Sequence, residues 1–197
     1  MYRVLVAMVA AFGLLMASTP ARTVAQEVKE PSAKKTLRTP DVVYVPTPQE
    51  VVDKMLDMAN VEKGAVVYDL GCGDGRIVVA AAKLGAKATG WDINPERIKQ
   101  AEENVKKNGV EQNAKIILDD IFTLDLSGAE VVTLYLLPSL NVKLIPQLEK
   151  LKSGSRIVSH DFDMRGVKPD QVVPFTGKDG ASHTLYLWTT PLKKAVP

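Results

Sequence analysis

The stretch VVYDLGCGDGRIVVAAAKLG, residues 66–85, places three alternating glycines directly after a short run of β-branched and apolar residues. Residues 65–70 are almost wholly apolar, which is typical of a strand covered on both faces. Glycine lacks a Cβ, so Gly71, Gly73 and Gly75 can adopt backbone angles that other residues avoid and let a ligand approach the main chain closely. The stretch therefore predicts a strand, a ligand-binding loop and a helix, in that order.

Strand and helix patterns alternate on both sides of this loop. A first helix is predicted with Thr47 as its N-cap, Pro48 at its first position and Glu50 completing a capping box. Alternating strands and helices indicate an α/β fold, with a Rossmann-like, doubly wound and mostly parallel sheet. Two last strand-like segments flank the turn sequence TGKDGAS and predict a C-terminal antiparallel hairpin. The predicted strands are residues 65–70, 86–91, 115–118, 131–137, 156–159, 171–175 and 183–189, and further helices are predicted at 77–84, 94–108 and 139–151.

Acidic residues stand at the ends of the first three predicted strands, at Asp69, Asp92 and Asp120. Open α/β sheets bind ligands at this edge. A dinucleotide site would use G-x-G-x-x-G, but Arg76 occupies the place of its third glycine. Asp92 is placed to hold ribose hydroxyls, or alternatively only to cap the turn into the next helix, and Asp120 is placed to receive an adenine amino group. The pattern predicts a nucleoside ligand without a pyrophosphate site.

Three segments, VVYDLGCGDG (66–75), ATGWDINP (88–95) and LDDIF (118–122), resemble the cofactor motifs of class I S-adenosylmethionine-dependent methyltransferases. The resemblance covers roughly residues 41–188. It implies the class I methyltransferase fold and S-adenosyl-L-methionine as cofactor. It also implies that Asp69 and the glycine loop face the methionine part of the cofactor, Asp92 the ribose and Asp120 the adenine.

A narrower resemblance comes from YVPTPQEVV (44–52), VVTLYLLP (131–138) and RIVSHDFDM (156–164). These segments are similar to small methyltransferases that modify lysines of mitochondrial membrane proteins, including adenine nucleotide translocase and the ATP synthase c subunit. The resemblance implies a protein-lysine N-methyltransferase acting on a membrane-associated protein. Trp91 and Asp92 stand where family members often have an aliphatic residue and Glu, a conservative change for ribose binding.

Candidate catalytic residues follow the fourth and fifth strands at the same sheet edge. Lysine, with a reference pKa of about 10.4, must lose its charge to act as a nucleophile, which low polarity and an orienting hydroxyl or carboxylate favour. We therefore predict Tyr135 and Asp161 as catalytic; alternatively, Tyr135 packs in the sheet and Asp161 caps a loop. The two histidines, His160 and His183, are far apart in the sequence, so we predict no metal site and a structural role for His183.

The N-terminal region differs from the rest of the chain. Residues 1–25 contain a short apolar run followed by small residues, which is typical of a signal peptide or, alternatively, a membrane anchor. Residues 26–40 are predicted to be a flexible linker, and 41–197 the methyltransferase domain. The chain is therefore expected to be exported or membrane-associated. An anchor would keep the domain on the cytoplasmic side, where the cofactor is made.

Charge and composition restrict the partners. Cleavage after Ala25 removes Arg3 and Arg22 and changes 25 basic and 23 acidic residues to 23 of each. A neutral domain lacks the positive excess that nucleic acid binding needs, so we expect no nucleic acid partner. Two alternatives to protein-lysine methylation stay open: a small-molecule methyltransferase and a non-catalytic binding module on the same fold. The sequence does not specify the oligomeric state.

Overall fold

The computed structural model describes residues 38–195, so the predicted signal or anchor segment lies outside the described residues. No helix within this range combines the length and the hydropathy needed to cross a bilayer. The elements are α1 (Gln49–Met58), β1 (Val66–Leu70), α2 (Arg76–Lys83), β2 (Lys87–Asp92), α3 (Pro95–Lys107), β3 (Ala114–Leu118), a 3-10 helix (Ile121–Thr123), β4 (Val131–Leu134), α4 (Pro138–Leu148), β5 (Arg156–His160), β6 (Val167–Lys168), β7 (Gln171–Thr176), β8 (Ser182–Thr189) and β9 (Lys193–Lys194).

Seven strands form one sheet in the order β3-β2-β1-β4-β5-β8-β7. Strands β1 to β5 are parallel, whereas β8 runs antiparallel to both β5 and β7. The predicted mostly parallel sheet with a C-terminal antiparallel hairpin is therefore confirmed. The chain order reverses between β1 and β4, which makes the carboxyl ends of these strands the expected ligand-binding crevice. Strands β6 and β9 form a separate two-stranded sheet that the sequence patterns did not predict.

Two apolar clusters cover the two faces of the sheet. Successive side chains of a strand point to opposite faces, and Val131 belongs to one cluster while Val132 belongs to the other. Helices α1 and α2 pack in the first cluster and α4 in the second. Because both faces are covered, β1 and β4 carry the continuous apolar runs that predicted them as buried strands.

The two predicted helix starts have different outcomes. At α3 the Asn94 side chain accepts a hydrogen bond from the Glu96 amide, and Pro95 occupies the first position, as predicted. At α1 the predicted capping box is wrong. The Thr47 hydroxyl contacts the Nδ1 atom of His160 at 3.2 Å, and Glu50 accepts from the Lys178 amide at 2.6 Å. Both side chains make tertiary contacts in place of the local cap, and α1 begins at Gln49.

Candidate active site

A cavity lies at the carboxyl edge of the sheet, next to the extended segment of residues 38–47 that precedes α1. Five predicted site residues line it: Asp69, Gly71, Asp92, Asp120 and Tyr135. They come from the ends of four strands or the loops that follow them. The parallel sheet thus brings to one cavity residues as far apart in the sequence as Asp69 and Tyr135, which are separated by 66 positions. Gly73, Gly75 and Asp161 lie outside the lining.

Asp69 presents a buried carboxylate to this cavity. Its Oδ1 atom accepts a hydrogen bond from the Thr133 hydroxyl at 2.6 Å, and its Oδ2 atom has no partner among the described residues. Burial raises the pKa of Asp69 to about 7, although the Thr133 hydrogen bond acts in the opposite direction. A buried acceptor without a partner is costly, so this atom is suited to a cationic or hydrogen-bond-donating group of a ligand.

Each of the three loop positions has a different structural reason to be glycine. All three have positive φ, at 81° for Gly71, 54° for Gly73 and 75° for Gly75. A Cβ on Gly73 would lie 2.2 Å from the ring of Tyr44, and one on Gly75 would lie 2.9 Å from the Cβ of Ala101 on α3. That the whole loop faces the methionine part of a cofactor stays a prediction. Gly71 lines the cavity, whereas Gly73 lies under Tyr44 and Gly75 allows close packing of α3.

Asp92 lines the cavity and also fixes the local backbone, so its role as a cap is confirmed and its contact with a ribose stays a prediction. Its Oδ2 atom accepts from the Gly73 amide and its Oδ1 atom from the Asn94 amide, both at 2.9 Å. One carboxylate thus joins the glycine loop to the start of α3. Each oxygen has two lone pairs, so the carboxylate can still accept hydrogen bonds from a ligand.

Asp120 is paired with Arg38. The guanidinium donates from Nε to Oδ2 at 2.7 Å and from Nη2 to Oδ1 at 3.2 Å, and it also pairs with Asp41. The hydrogen bond from Arg38 holds the pKa of Asp120 below its usual range. Arg38 falls within the predicted flexible linker, so at this residue the linker prediction fails: the side chain is bound to the cavity wall.

Residues 38–47 form an extended cover whose side chains alternate in direction. Tyr44 turns inward over Gly73, and the Arg97 guanidinium lies 4.4 Å from its ring centroid. Val43 and Val45 are 88% and 58% exposed, so the outer side of the cover is apolar. Tyr44, Arg38 and Arg97 were not predicted as site residues from the sequence. The available signal for Tyr44 was its position between two valines, because alternating side chains of an extended segment point in opposite directions.

Tyr135 follows the end of β4, which stops at Leu134, three residues earlier than predicted. Its ring centroid lies 4.0 Å from that of His160 and 6.0 Å from that of Phe162. Burial raises the pKa of Tyr135, so its phenol is protonated at neutral pH. Leu136 and Leu140 line the cavity beside it. Tyr135 therefore lines the cavity beside apolar side chains.

Behind Tyr135, β8 brings His183 against His160 and Asp161. The Nε2 atom of His160 lies 2.9 Å from Nδ1 of His183, so the inference that the two histidines are too far apart to act together is wrong. The Oδ1 atom of Asp161 accepts from the Thr184 amide at 2.8 Å. Burial lowers the pKa of His160 to about 4, which keeps its ring neutral at pH 7. Asp161 lies outside the cavity lining, and its catalytic role stays a prediction.

A doubly wound sheet whose first strand ends in an acidic residue and a glycine loop, with further carboxylates after the next two strands, defines a class I S-adenosylmethionine-dependent methyltransferase. The model of the family described as ANTKMT methyltransferase domain matches residues 69–171. The chain is 50% identical to a protein-lysine N-methyltransferase of Saccharolobus islandicus (strain REY15A), over 76% of this chain and 94% of the relative. The chain belongs to the ANTKMT methyltransferase family.

Other comparisons agree on the class of enzyme. A human (Homo sapiens) lysine N-methyltransferase of the ATP synthase c subunit is 30% identical over 74% of this chain and 62% of its own length. A crystal structure of an RNA methyltransferase from Salinibacter ruber, in complex with S-adenosyl-L-homocysteine, has a TM-score of 0.70 at 47% identity. The match covers 78% of this chain and 97% of that chain. The chain is an S-adenosylmethionine-dependent methyltransferase, and the names of its relatives include both protein and RNA substrates.

Proposed function

We propose that this enzyme transfers a methyl group to the lysine side chain of a protein. The observation that carries the proposal is the 50% identity to the Saccharolobus islandicus protein-lysine N-methyltransferase, which extends over 94% of that relative. The bound cofactor supplies an electrophilic methyl group on a sulfonium. The chain must hold the cofactor, admit a lysine side chain in line with that methyl group and keep the amine uncharged.

Three carboxylates are proposed to hold the cofactor. The free Oδ2 atom of Asp69 is suited to the ammonium group of the methionine part, because a buried carboxylate binds a cation strongly. Asp92 would accept hydrogen bonds from the ribose hydroxyls while its oxygens continue to fix the backbone of the loop. Asp120 would accept from the adenine amino group. Because Asp69 and Asp120 follow different strands, the two ends of an extended ligand would be recognised separately.

Tyr135 is proposed to orient the acceptor amine. Its protonated phenol has a lone pair that can accept a hydrogen bond from the uncharged amine, which leaves the nitrogen lone pair free for the methyl group. The neighbouring apolar side chains Leu136 and Leu140 lower the local polarity, which lowers the pKa of a lysine amine and favours its neutral form. Asp161 acts as a positioning residue, since it contacts His160 and His160 packs on Tyr135.

The acceptor is proposed to lie in a membrane-associated protein. Val43 and Val45 expose apolar surface on the cover of the cavity, and Leu137 is 45% exposed next to the cavity residue Leu136. Such a rim suits an acceptor lysine that is itself flanked by apolar side chains. An N-terminal anchor in residues 1–25 would hold the enzyme near such substrates, and this part of the proposal rests on the sequence.

Transfer of label from the cofactor tests this function. The purified full chain is incubated with tritiated S-adenosylmethionine and with membrane or soluble extracts of its host, and the products are digested separately with protease and ribonuclease. We expect label in the membrane fraction that protease removes and that acid hydrolysis releases as methyl-lysine. The Asp92→Ala variant is the control for the site. Label that ribonuclease removes would overturn the proposal in favour of the RNA substrate named for the Salinibacter ruber neighbour.

A further inference from the structure

Three ligand-type atoms converge at the end of β5, behind the cavity wall. The Nε2 atom of His160 is 2.9 Å from Nδ1 of His183 and 3.2 Å from Oδ2 of Asp161. The third side of the triangle, from Nδ1 of His183 to Oδ2 of Asp161, is 3.5 Å. No other group of three or more histidine, cysteine and acidic side chains within residues 38–195 is arranged in this way.

These distances match those between ligands of one metal ion. Nitrogen and oxygen ligands lie about 2.0–2.2 Å from zinc, so two ligands of the same ion are about 2.8–3.1 Å apart in an octahedral arrangement and about 3.3–3.6 Å apart in a tetrahedral one. An ion near the centre of the triangle would be bonded by all three atoms after small movements of the side chains. We propose that His160, Asp161 and His183 bind one divalent transition-metal ion of the zinc class.

The hydrogen-bonding capacity of the cluster supports an ion in preference to ring protons. Each neutral imidazole carries one ring proton, and Nδ1 of His160 already contacts the Thr47 hydroxyl. A proton between the two histidines would satisfy one pair of atoms and leave Oδ2 of Asp161 facing a nitrogen lone pair. A single cation can instead accept one electron pair from each of the three atoms at the same time. Two imidazoles and one carboxylate are also a ligand set that zinc accepts.

Two of the three side chains have contacts like those in the outer shell of a metal site, whereas the second ring nitrogen of His183 has no partner among the described residues. Metal-binding histidines usually hydrogen-bond through their second ring nitrogen, and binding carboxylates through their second oxygen. Here Thr47 contacts the second nitrogen of His160 at 3.2 Å, and the Thr184 amide donates to the second oxygen of Asp161 at 2.8 Å. The Asp161 side chain is 29% exposed, which lets water take a fourth position.

The site would join the end of β5 to β8, because His160 and Asp161 belong to one segment and His183 to the other. Tyr135 packs on His160, so an ion in this place would also fix the cavity wall. The proposal does not depend on the identity of the methyl acceptor. The proposal predicts that this wall needs the metal ion to be rigid, whichever substrate the enzyme uses.

Metal titration of the full chain tests the proposal directly. The chain, without a histidine tag, is treated with EDTA, dialysed and titrated with Zn²⁺ by calorimetry and with Co²⁺ by visible absorption. We expect one ion per chain, Co²⁺ bands typical of bound metal and displacement of Co²⁺ by Zn²⁺. Asp161→Asn keeps an oxygen for the Thr184 amide but loses the charge, and we expect at least about tenfold weaker binding, as for loss of a supporting group. Asp163→Asn changes an exposed neighbouring carboxylate and should bind as the wild type does.

NMR of the histidine side chains provides a second measurement. The sequence contains two histidines in total, and both belong to this cluster. In imidazole nitrogen NMR spectra, Zn²⁺ should shift Nε2 of His160 and Nδ1 of His183 together, at one equivalent. Absence of stoichiometric binding would overturn the proposal. Binding that is unchanged in both Asp161→Asn and His183→Gln, with folding confirmed by circular dichroism, would overturn it as well.

Discussion

Arg38 binds Asp120 through two hydrogen bonds, at 2.7 and 3.2 Å, across 82 positions of the sequence. The pair joins the segment before α1 to the residue that follows β3. Both residues line the cavity. Arg38, which lies in the segment predicted to be a flexible linker, is therefore part of the cavity wall.

This ion pair should contribute modestly to stability. Arg38 is about one third exposed, and exposed pairs are worth about 0.2–1 kcal/mol, so Arg38→Gln should lower the free energy of unfolding by no more than about 1 kcal/mol at pH 7. The pKa of Asp120 is lowered in the folded state, so this contribution exists above the unfolded pKa and is lost as the pH falls through the folded pKa. The difference between the two proteins should begin to shrink below about pH 4 and should vanish only below the lowered folded pKa of Asp120. Urea unfolding measures this, with exposed Arg165→Gln as control. A difference that stays the same as the pH falls from 7 through 4 to 2 would contradict the account.

Asp69 should make cofactor binding depend on pH. Burial raises its pKa to about 7, above the unfolded value of about 3.9, so its ionisation disfavours the folded state between these values. Stability of the free enzyme should therefore fall as the pH rises from about 4 to 7. A cationic ligand requires the ionised form, so affinity for S-adenosylmethionine should rise with pH and level off above about pH 7.

Two variants at Asp69 and Thr133 test this explanation by calorimetry at several pH values. Asp69→Asn should weaken binding and remove the pH dependence. Thr133→Val removes the hydroxyl that donates to Asp69 at 2.6 Å, so the pKa should rise further and the binding curve should shift to higher pH. If the curve of cofactor affinity against pH is unshifted in a folded Thr133→Val protein, a group other than Asp69 causes the pH dependence.

Gly73→Ala should disturb the cover of the cavity. The new Cβ would lie 2.2 Å from the Tyr44 ring, and φ is +54°, so the substitution adds a clash to the backbone strain. Gly109 is a matched control, because its φ is +65° and a Cβ there meets nothing within 4 Å. Gly109→Ala should cost about 1–2 kcal/mol without affecting cofactor binding. Gly73→Ala should cost more and weaken binding, and Tyr44→Ala in the same chain should relieve part of the loss. Equal effects of both glycine variants would exclude the Tyr44 contact as the cause.

Tyr135→Phe should lower turnover more than cofactor affinity. The phenylalanine ring keeps the packing on His160 at a centroid distance of 4.0 Å but loses the hydroxyl that we propose to orient the amine. Loss of one such hydrogen bond between neutral groups corresponds to about 2- to 10-fold in kcat. Steady-state kinetics together with cofactor calorimetry separates the two effects. Equal losses in kcat and in cofactor affinity would assign Tyr135 to cofactor binding.

The common location of the three acidic residues in one cavity could be predicted from the sequence because parallel strands end at one edge of the sheet. Asp69, Asp92 and Asp120 each lie at or just beyond the carboxyl end of a recognisable strand, so their strand positions already place them at one edge of the sheet. The caps of α3 were predictable for a similar reason: Asn94 and Pro95 act within a few residues of each other.

Long-range partners of single side chains could not be predicted. Thr47 is a reasonable N-cap in its local sequence. Its hydroxyl instead contacts the Nδ1 atom of His160, which is 113 positions away. His183 meets His160 because β8 runs antiparallel to β5 in a register that pairs His160 with Leu185. Hydrophobic patterns predict that such a hairpin exists, but they do not fix its neighbour in the sheet or its register.

The most direct test of the central claim is mass spectrometry of lysine methylation in the host, with and without the gene. We predict that at least one methylated lysine of a membrane-associated protein loses its methyl groups in the deletion strain. Wild-type enzyme should restore them, and the Asp69→Asn variant, expressed at the same level, should not. Identical lysine methylation in the two strains, with a methylated RNA nucleoside lost in the deletion strain, would contradict the account.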